Sequence, residues 1–491
     1  MESEEPIRAV KEPTLLTALV PLVFLILLIF SSLLIFGLDA LDGPIQVALV
    51  LSCLCAELVA LRLGYRWSDV QEVGRVAMGT ITSAIFILFA VGALIGTWNL
   101  SGTIPTLVFY GIKVLSPSWY YLASAVICGV IAMSIGSSWT TAGTIGVGLV
   151  GIALMLGVSP AITAGAVISG AYLGDKLSPL SETTILTAQM VKVDLMTHIK
   201  AQIWTSLPAF IIACVVFLIL GLSGPPPAPA VATTVELAKL DQIYWINPVN
   251  LLPLALLIFM SVRKLPAALS LMTASIFAAL MAPLTQPRVV AQFVGAGAGL
   301  SPIEALKAGW QAMATGFEIN SGIPDIDLLL SRGGMDSMLL TIWLIMGAVT
   351  FGTLIEELGL IARLTTPLIS WATSTGKLYL AVFASGFGLN VFAGDQYIAL
   401  VLPARIYRVE FAKRGLAPTN LSRLAADSGT VTSPLVPWNS CGAFMGAVLG
   451  VPTLLYLPFA IFCIASPVLS VVYGLTGFKI KRIEPVTAEV A

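Results

Sequence analysis

"GAYLGDKLSPLSETT", residues 170–184, sets Asp175, Lys176 and Glu182 among glycines, a proline and hydroxyls. The chain around it is of another kind: 491 residues, 57% hydrophobic and 10% charged, with a mean hydropathy of +0.96, where a soluble domain carries about 25% charged residues. Apolar runs such as "TLLTALVPLVFLILLIFSSLLIF" (14–36) and "LPFAIFCIASPVLSVVYGL" (457–475) have the ~20 residues that cross a ~30 Å hydrocarbon layer. The chain therefore reads as an all-α polytopic membrane protein, with roughly 11 to 13 spans. Ionisable groups inside such a protein are costly, which makes 170–184 a candidate functional segment.

A second segment of the same character lies further along. "YYLASAV" (120–126) resembles "LYLAVFA" (378–384), "TAGT" (141–144) resembles "FAGD" (392–395), and "SPL" at 178 returns at 433. The matches are all offset by roughly 255 residues, the mark of an internal repeat. Loop charge orients the copies. "ARIYRVEFAKRGLAPTNLSR" (404–423) is basic where its counterpart "MLGVSPAI" (155–162) is uncharged; after "SPL" the bias reverses, Lys192 and Lys200 facing the uncharged "FMGAVLGVP" (444–452). Because basic loops stay cytoplasmic, the copies are expected to be inverted repeats, as in many secondary transporters. The expected map is N-terminal scaffold spans (1–75), first repeat (76–222), linker, connecting spans and a polar stretch (223–337), second repeat (338–475) and a cytoplasmic tail (476–491). Within it, "GLSGPPPAPAVATTVELAKLDQ" (221–242) reads as a linker, and 295–336 as polar enough to lie outside the hydrocarbon or in an aqueous cavity. Basic residues beside the first and last spans place both termini in the cytoplasm. "MESEEPIRAVKEP" lacks the form of a cleaved secretory signal.

Each copy carries two polar, glycine-rich breaks: "SIGSSWTTAGTIG" (134–146) and "GDKLSPLSETT" (174–184), then "NVFAGDQ" (390–396) and "ADSGTVTSPLVPWNS" (426–440). Non-helical backbone cannot face lipid, so these discontinuous helices should point into protein or a wet cavity. They are rich in the oxygens that hold a hard cation such as Na+. The expected ion ligands are Asp175, Ser178, Ser181, Glu182 and Thr183 in one copy and Asp395, Asp427, Thr432, Ser433 and Asn439 in the other. Ser137, Ser138, Trp139, Thr140, Thr144, Lys176, Asn390 and Trp438 are expected to line the cavity. A buried carboxylate that is either protonated or held ionised by a cation is a physical basis for antiport, and Asp175, Glu182 and Asp427 are the leading candidates; Glu182→Gln is expected to abolish Na+-dependent proton movement. Structural readings compete: Asp175 and Lys176 neutralising each other, Asp427 capping a broken helix, the tryptophans packing. Glu356 and Glu357 read as a membrane boundary, and His198 as a residue of a cytoplasmic loop.

The blocks "GSSWTTAGTIGVGLVGIA" (136–153), "ITAGAVISGAYLGDKLSPLSETT" (162–184), "VDLMTHI" (193–199), "LLSRGGMDSM" (329–338) and the long "DQYIALVLPARIYRVEFAKRGLAPTNLSRLAADSGTVTSPLVPWNSCGAF" (395–444) resemble the NhaC-type Na+/H+ antiporters and their malate/lactate-exchanging relatives. The resemblance runs from about residue 70 to 470. It implies a cytoplasmic-membrane secondary transporter of the ion-transporter superfamily, with re-entrant hairpins and a transport domain that moves against a scaffold. This chain has Glu182 where the family usually reads "SPLSDTT", and "GSSWTT" where it more often reads "GTSWGT". Neither change removes an oxygen ligand.

The function expected is Na+/H+ exchange by alternating access, with coupled exchange of small organic anions or amino acids as the alternative and a channel as a more distant one. No Ser/His pair, phosphate loop or His/Cys metal set marks an enzyme, and no catalytic residue is assigned. The six cysteines lie mostly in apolar runs and read as packing. No cofactor is expected: Na+ and H+ are cargo, the lipid bilayer is the surroundings, a small carboxylate is a candidate substrate, a homodimer is allowed, and a net charge of −1 gives nucleic acid no basic surface.

Overall fold

Thr14 starts the first long helix by accepting a hydrogen bond from the Thr17 amide (3.2 Å), and Gly37, at φ 59°, ends it. Between them Leu15–Phe36 is apolar all round, and Leu16, Leu34 and Ile35 are 78%, 70% and 72% exposed. Side chains of that kind have their favourable surroundings in lipid rather than in water. The computed structural model describes residues 11–223, 230–296 and 299–483; among these there are helices and short helical turns, and isolated bridges but no strand.

Eight helices among the described residues are long and apolar enough to cross a membrane, or up to ten if each of two bent pairs is one span. The count is lower than the roughly 11 to 13 read from hydropathy. The 18-residue helices Pro160–Leu177, Thr375–Phe392 and Gln396–Lys413 are long enough, but they carry Asp175 and Lys176, Lys377 and Asn390, and several charges near 405–413, and fall outside the set. Two further apolar helices, Thr103–Val114 and Ile461–Thr476, are short. The bent pairs, Leu237–Ile243 with Pro248–Val262 and Ser440–Leu449 with Thr453–Phe459, turn by 88° and 91°, so discontinuous helices are a feature of the fold.

The chain forms two compact units, each discontinuous in sequence. One comprises the described residues within Met1–Thr82, Trp343–Ala443 and Ser470–Ala491, the other Ser83–Ile342 and Phe444–Leu469. In the second unit, Tyr120–Ile135 and Pro160–Leu177 pack along their length. A side chain at Gly170 would put its Cβ 2.1 Å from the Ala125 carbonyl oxygen. Small residues at such a crossing let two backbones touch, the usual basis of helix association in lipid.

Two expectations need correction. The segment 221–242 is not a linker throughout: Leu195–Leu222 continues into it and Ala230–Ile243 is helical, while the proline-rich 224–229 lies outside the described residues. His198 is in the first turn of Leu195–Leu222, fully buried, with Nε2 2.6 Å from the Gln202 amide nitrogen, because Asp194 caps the helix four residues earlier and carries 198 into it.

Candidate cation site

The breaks 134–146 and 174–184 meet at Asp175. Gly136, at φ 80°, ends Tyr120–Ile135, and Ser137 caps the next helical run, Ser138–Met155. The close crossing at Gly170 brings the end of Pro160–Leu177 against this turn. There Asp175 Oδ2 accepts from Ser138 Oγ (2.6 Å) and from the Ser138 amide (3.3 Å), while Oδ1 accepts from Ser181 Oγ (2.5 Å). Ser181 also caps Glu182–Val191 and lies 3.0 Å from Thr183 Oγ1. Asp175 is 6% exposed and faces the starts of two helices, whose partial positive charge favours an anion.

The other residues of these two breaks divide between ligand-like and supporting places. Ser178 donates to the Met133 carbonyl (2.8 Å), and Thr184 to the carbonyls of Asp175 (3.2 Å) and Lys176 (3.1 Å); both tie the second break to the helices beside it. Thr140 bonds Ser137 Oγ (3.1 Å), and Thr144 bonds the Thr140 carbonyl (2.7 Å) within a π-helical turn, Ala142–Gly146. Trp139 stacks on Phe444 with centroids 4.0 Å apart, so it packs in this unit. Lys176 is buried and its ammonium reaches Ser466 (3.0 Å) and Thr205 (3.4 Å). Glu182, in contrast, is exposed in the first turn of its helix.

The breaks 390–396 and 426–440 meet at amides. Asn390 Nδ2 donates to the Gly429 carbonyl (2.6 Å) and Thr432 Oγ1 (2.9 Å), and Asn439 Nδ2 donates to Asn390 Oδ1 (3.0 Å). Trp438 donates to the Val391 carbonyl (2.6 Å) and Ser433 to that of Thr430 (2.7 Å). The carboxylates have partners of their own. Asp395 caps Gln396–Lys413 by accepting from the amides of Tyr397 (2.7 Å) and Ile398 (3.1 Å). Asp427 is fully buried in the π-helical turn Ala426–Thr430, accepts from Ser470 (2.6 Å), and follows the buried Arg423 by one helical turn.

Sequence reasoning missed Ser466 and Thr205 as partners of Lys176, Ser470 as a partner of Asp427, and the glycine crossing that fixes Asp175. The signal for the last was present as Gly129, Gly170 and Gly174 at helical spacing; only their pairing across helices was invisible.

A polytopic helical membrane protein whose broken helices gather carboxylate, hydroxyl and carbonyl oxygens has the makings of an ion carrier. The chain matches the Na+/H+ antiporter family over residues 4–189 and 170–478, and belongs to it. It is 35% identical to the Na+/H+ antiporter NhaC of Alkalihalophilus pseudofirmus, over 95% of this chain and 97% of that one. It is 33% identical to the malate-2H+/Na+-lactate antiporter of Bacillus subtilis, over 93% and 94%, and 32% identical to the arginine/ornithine antiporter ArcD of Halobacterium salinarum, over 97% and 94%. Among solved structures, Neisseria gonorrhoeae MtrF aligns with 81% of this chain and 84% of its own at 13% identity and a TM-score of 0.35, too distant to bear on the site.

Proposed function

We propose that the protein is a secondary transporter exchanging Na+ for H+ across the cytoplasmic membrane by alternating access, with Asp175 as the carboxylate for which the two ions compete. The observation that carries the reading is the enclosure of Asp175 by Ser138 and Ser181. A hydroxyl both donates and accepts. With Asp175 ionised and no cation present, Ser138 and Ser181 donate to it; when Na+ binds, the same hydroxyls turn lone pairs toward the ion and remain ligands. A proton on the carboxyl instead cancels the charge that attracts Na+. One buried group thus takes either cargo but not both, as exchange requires.

The amide cluster of Asn390, Asn439 and Thr432 supplies oxygens without a net charge and serves in this proposal as the second copy's counterpart, holding its breaks in register; the inverted relation of the copies and the cytoplasmic termini belong to the same proposal. In this proposal no cofactor takes part, and the only bond made or broken is the O–H of the Asp175 carboxyl as it takes up and releases its proton. The test is internal pH in proteoliposomes holding a trapped pH dye and a Na+ gradient. A prompt, saturable pH change, lost in Asp175→Asn protein present at equal level, is expected. Unchanged exchange in that variant would remove Asp175 from the mechanism.

A second reading, obligatory exchange of an organic acid or amino acid coupled to the same ion, is favoured by the malate/lactate and arginine/ornithine relatives. Silence of the vesicles until such a solute is added would put that reading first.

A further inference from the structure

Within Ser83–Ile342 and Phe444–Leu469 lies a cavity of about 520 Å³, apart from the hydrogen bonds around Asp175. Its wall is the polar stretch whose sequence reads "SRGGMDS" (331–337). Gly333 and Gly334 have φ of 95° and 90°, and a Cβ on either would fall 2.3 Å from the backbone nitrogen of Gly96 or Gly316. The Gly334 amide donates to the Gly92 carbonyl (2.8 Å), that of Met335 to the Met313 carbonyl (2.9 Å), and Phe317 pairs with Arg332 in an antiparallel bridge. The backbone on both sides of Arg332 is therefore fixed.

The Arg332 side chain reaches into the cavity half-buried, alongside Gly450 and with one long hydrogen bond to the Val448 carbonyl (3.4 Å). Glu318 and Asp336 line the same cavity, exposed at its wall, yet among the described residues no carboxylate lies within 4.0 Å of the guanidinium. Ser331 and Ser337 add hydroxyls. A guanidinium fork without a carboxylate, on a fixed backbone and in a cavity of ligand size, is a carboxylate receptor. Two carboxylates in the same wall would repel a simple organic anion, and the arginine would repel a bare cation.

We propose that this cavity binds an amino acid, the α-carboxylate on Arg332 and the ammonium toward Asp336 and Glu318. The zwitterion brings a charge opposite to each kind on the lining, and a second amine makes a dibasic amino acid the better match to a wall holding one cation and two carboxylates. The proposal rests on the second, amino-acid reading above, which it deepens by naming the site and the charge class of the ligand, and does not depend on Na+/H+ exchange.

Equilibrium binding to the purified full-length protein in Na+-free detergent solution tests it with no ion gradient, so a failure of Na+/H+ exchange does not affect the result. The probes are radiolabelled L-lysine, L-alanine and L-malate. Saturable binding of lysine, tighter than alanine and with malate weakest, is expected. Arg332→Lys, which keeps the charge but loses the bidentate fork, should weaken binding at least tenfold. Glu318→Gln, at an exposed position with little bearing on folding, should weaken lysine more than alanine. Absence of amino-acid binding, malate as the preferred ligand, or equal lysine binding by parent and Glu318→Gln would each overturn the proposal.

Discussion

Replacing Gly170 by alanine adds one methyl at the crossing of Tyr120–Ile135 with Pro160–Leu177. Its Cβ would meet the Ala125 carbonyl oxygen at 2.1 Å and the Gly129 nitrogen at 2.8 Å, both backbone atoms that no rotamer change can move aside. Carbon and carbonyl oxygen come no closer than about 3.3 Å, so the helices must separate locally by about 1.2 Å or shift by a similar amount. The Asp175–Ser138 hydrogen bond, now 2.6 Å, lies little more than one turn further along the same helix. A displacement of that size takes it past hydrogen-bonding range. Overpacking costs about 1–3 kcal/mol, and losing a hydrogen bond to a charged group about 1.5–3 kcal/mol, equivalent to roughly 10- to 150-fold in an affinity that depends on it. We expect Gly170→Ala to insert and fold with a lowered melting temperature, and to raise the Na+ concentration for half-maximal exchange by one to two orders of magnitude in the pH-dye vesicles. Parent-like Na+ dependence together with a parent-like melting temperature would refute the claim that this crossing sets the geometry of Asp175.

Four further outcomes follow from the same structure. Ser138→Ala, which removes one donor to Asp175, should raise the half-maximal Na+ concentration about tenfold, in line with the ~1.5 kcal/mol lower bound for a charged hydrogen bond, and Glu182→Gln should shift it less, since Glu182 is exposed; the vesicle assay reads both. Asn390→Ala leaves the Gly429 carbonyl and Asn439 with buried, unmatched polar atoms and should cost about 2–4 kcal/mol, seen as a lower melting temperature. Asp194, outside the membrane at the start of Leu195–Leu222, is held below its usual 3.8 chiefly by hydrogen bonds from the Thr197 amide and hydroxyl. Its contribution to stability is present above the unfolded value and is lost as pH falls through the lower folded one. Asp194→Ala should therefore lower the melting temperature at neutral pH, with the difference from parent closing below about pH 4.

Much of the candidate site was legible because its chemistry is local. A glycine-rich interruption in membrane-length apolar sequence must be sheltered from lipid wherever the chain folds, so Asp175, Ser138 and Ser181 could be named before any contact was known. The cap residues were likewise readable from neighbours a few positions away. Asp395, Asp427 and Glu182 looked alike in that reading, since each is a carboxylate in or beside a break. Their surroundings separate them: amides of its own helix for Asp395, Ser470 for Asp427, and exposure for Glu182.

By itself the sequence determined the membrane environment, the helical class, the positions of the breaks and the oxygen-rich chemistry at them, all of which depend on composition and on spacing along one segment. The tertiary structure alone decided which break meets which, that Asp175 rather than Glu182 is enclosed, and that Arg332 reaches a cavity across from residues more than 100 positions away. Those outcomes turn on close approach between helices, set by shape and by a few glycines, and a one-dimensional pattern does not record which surfaces touch.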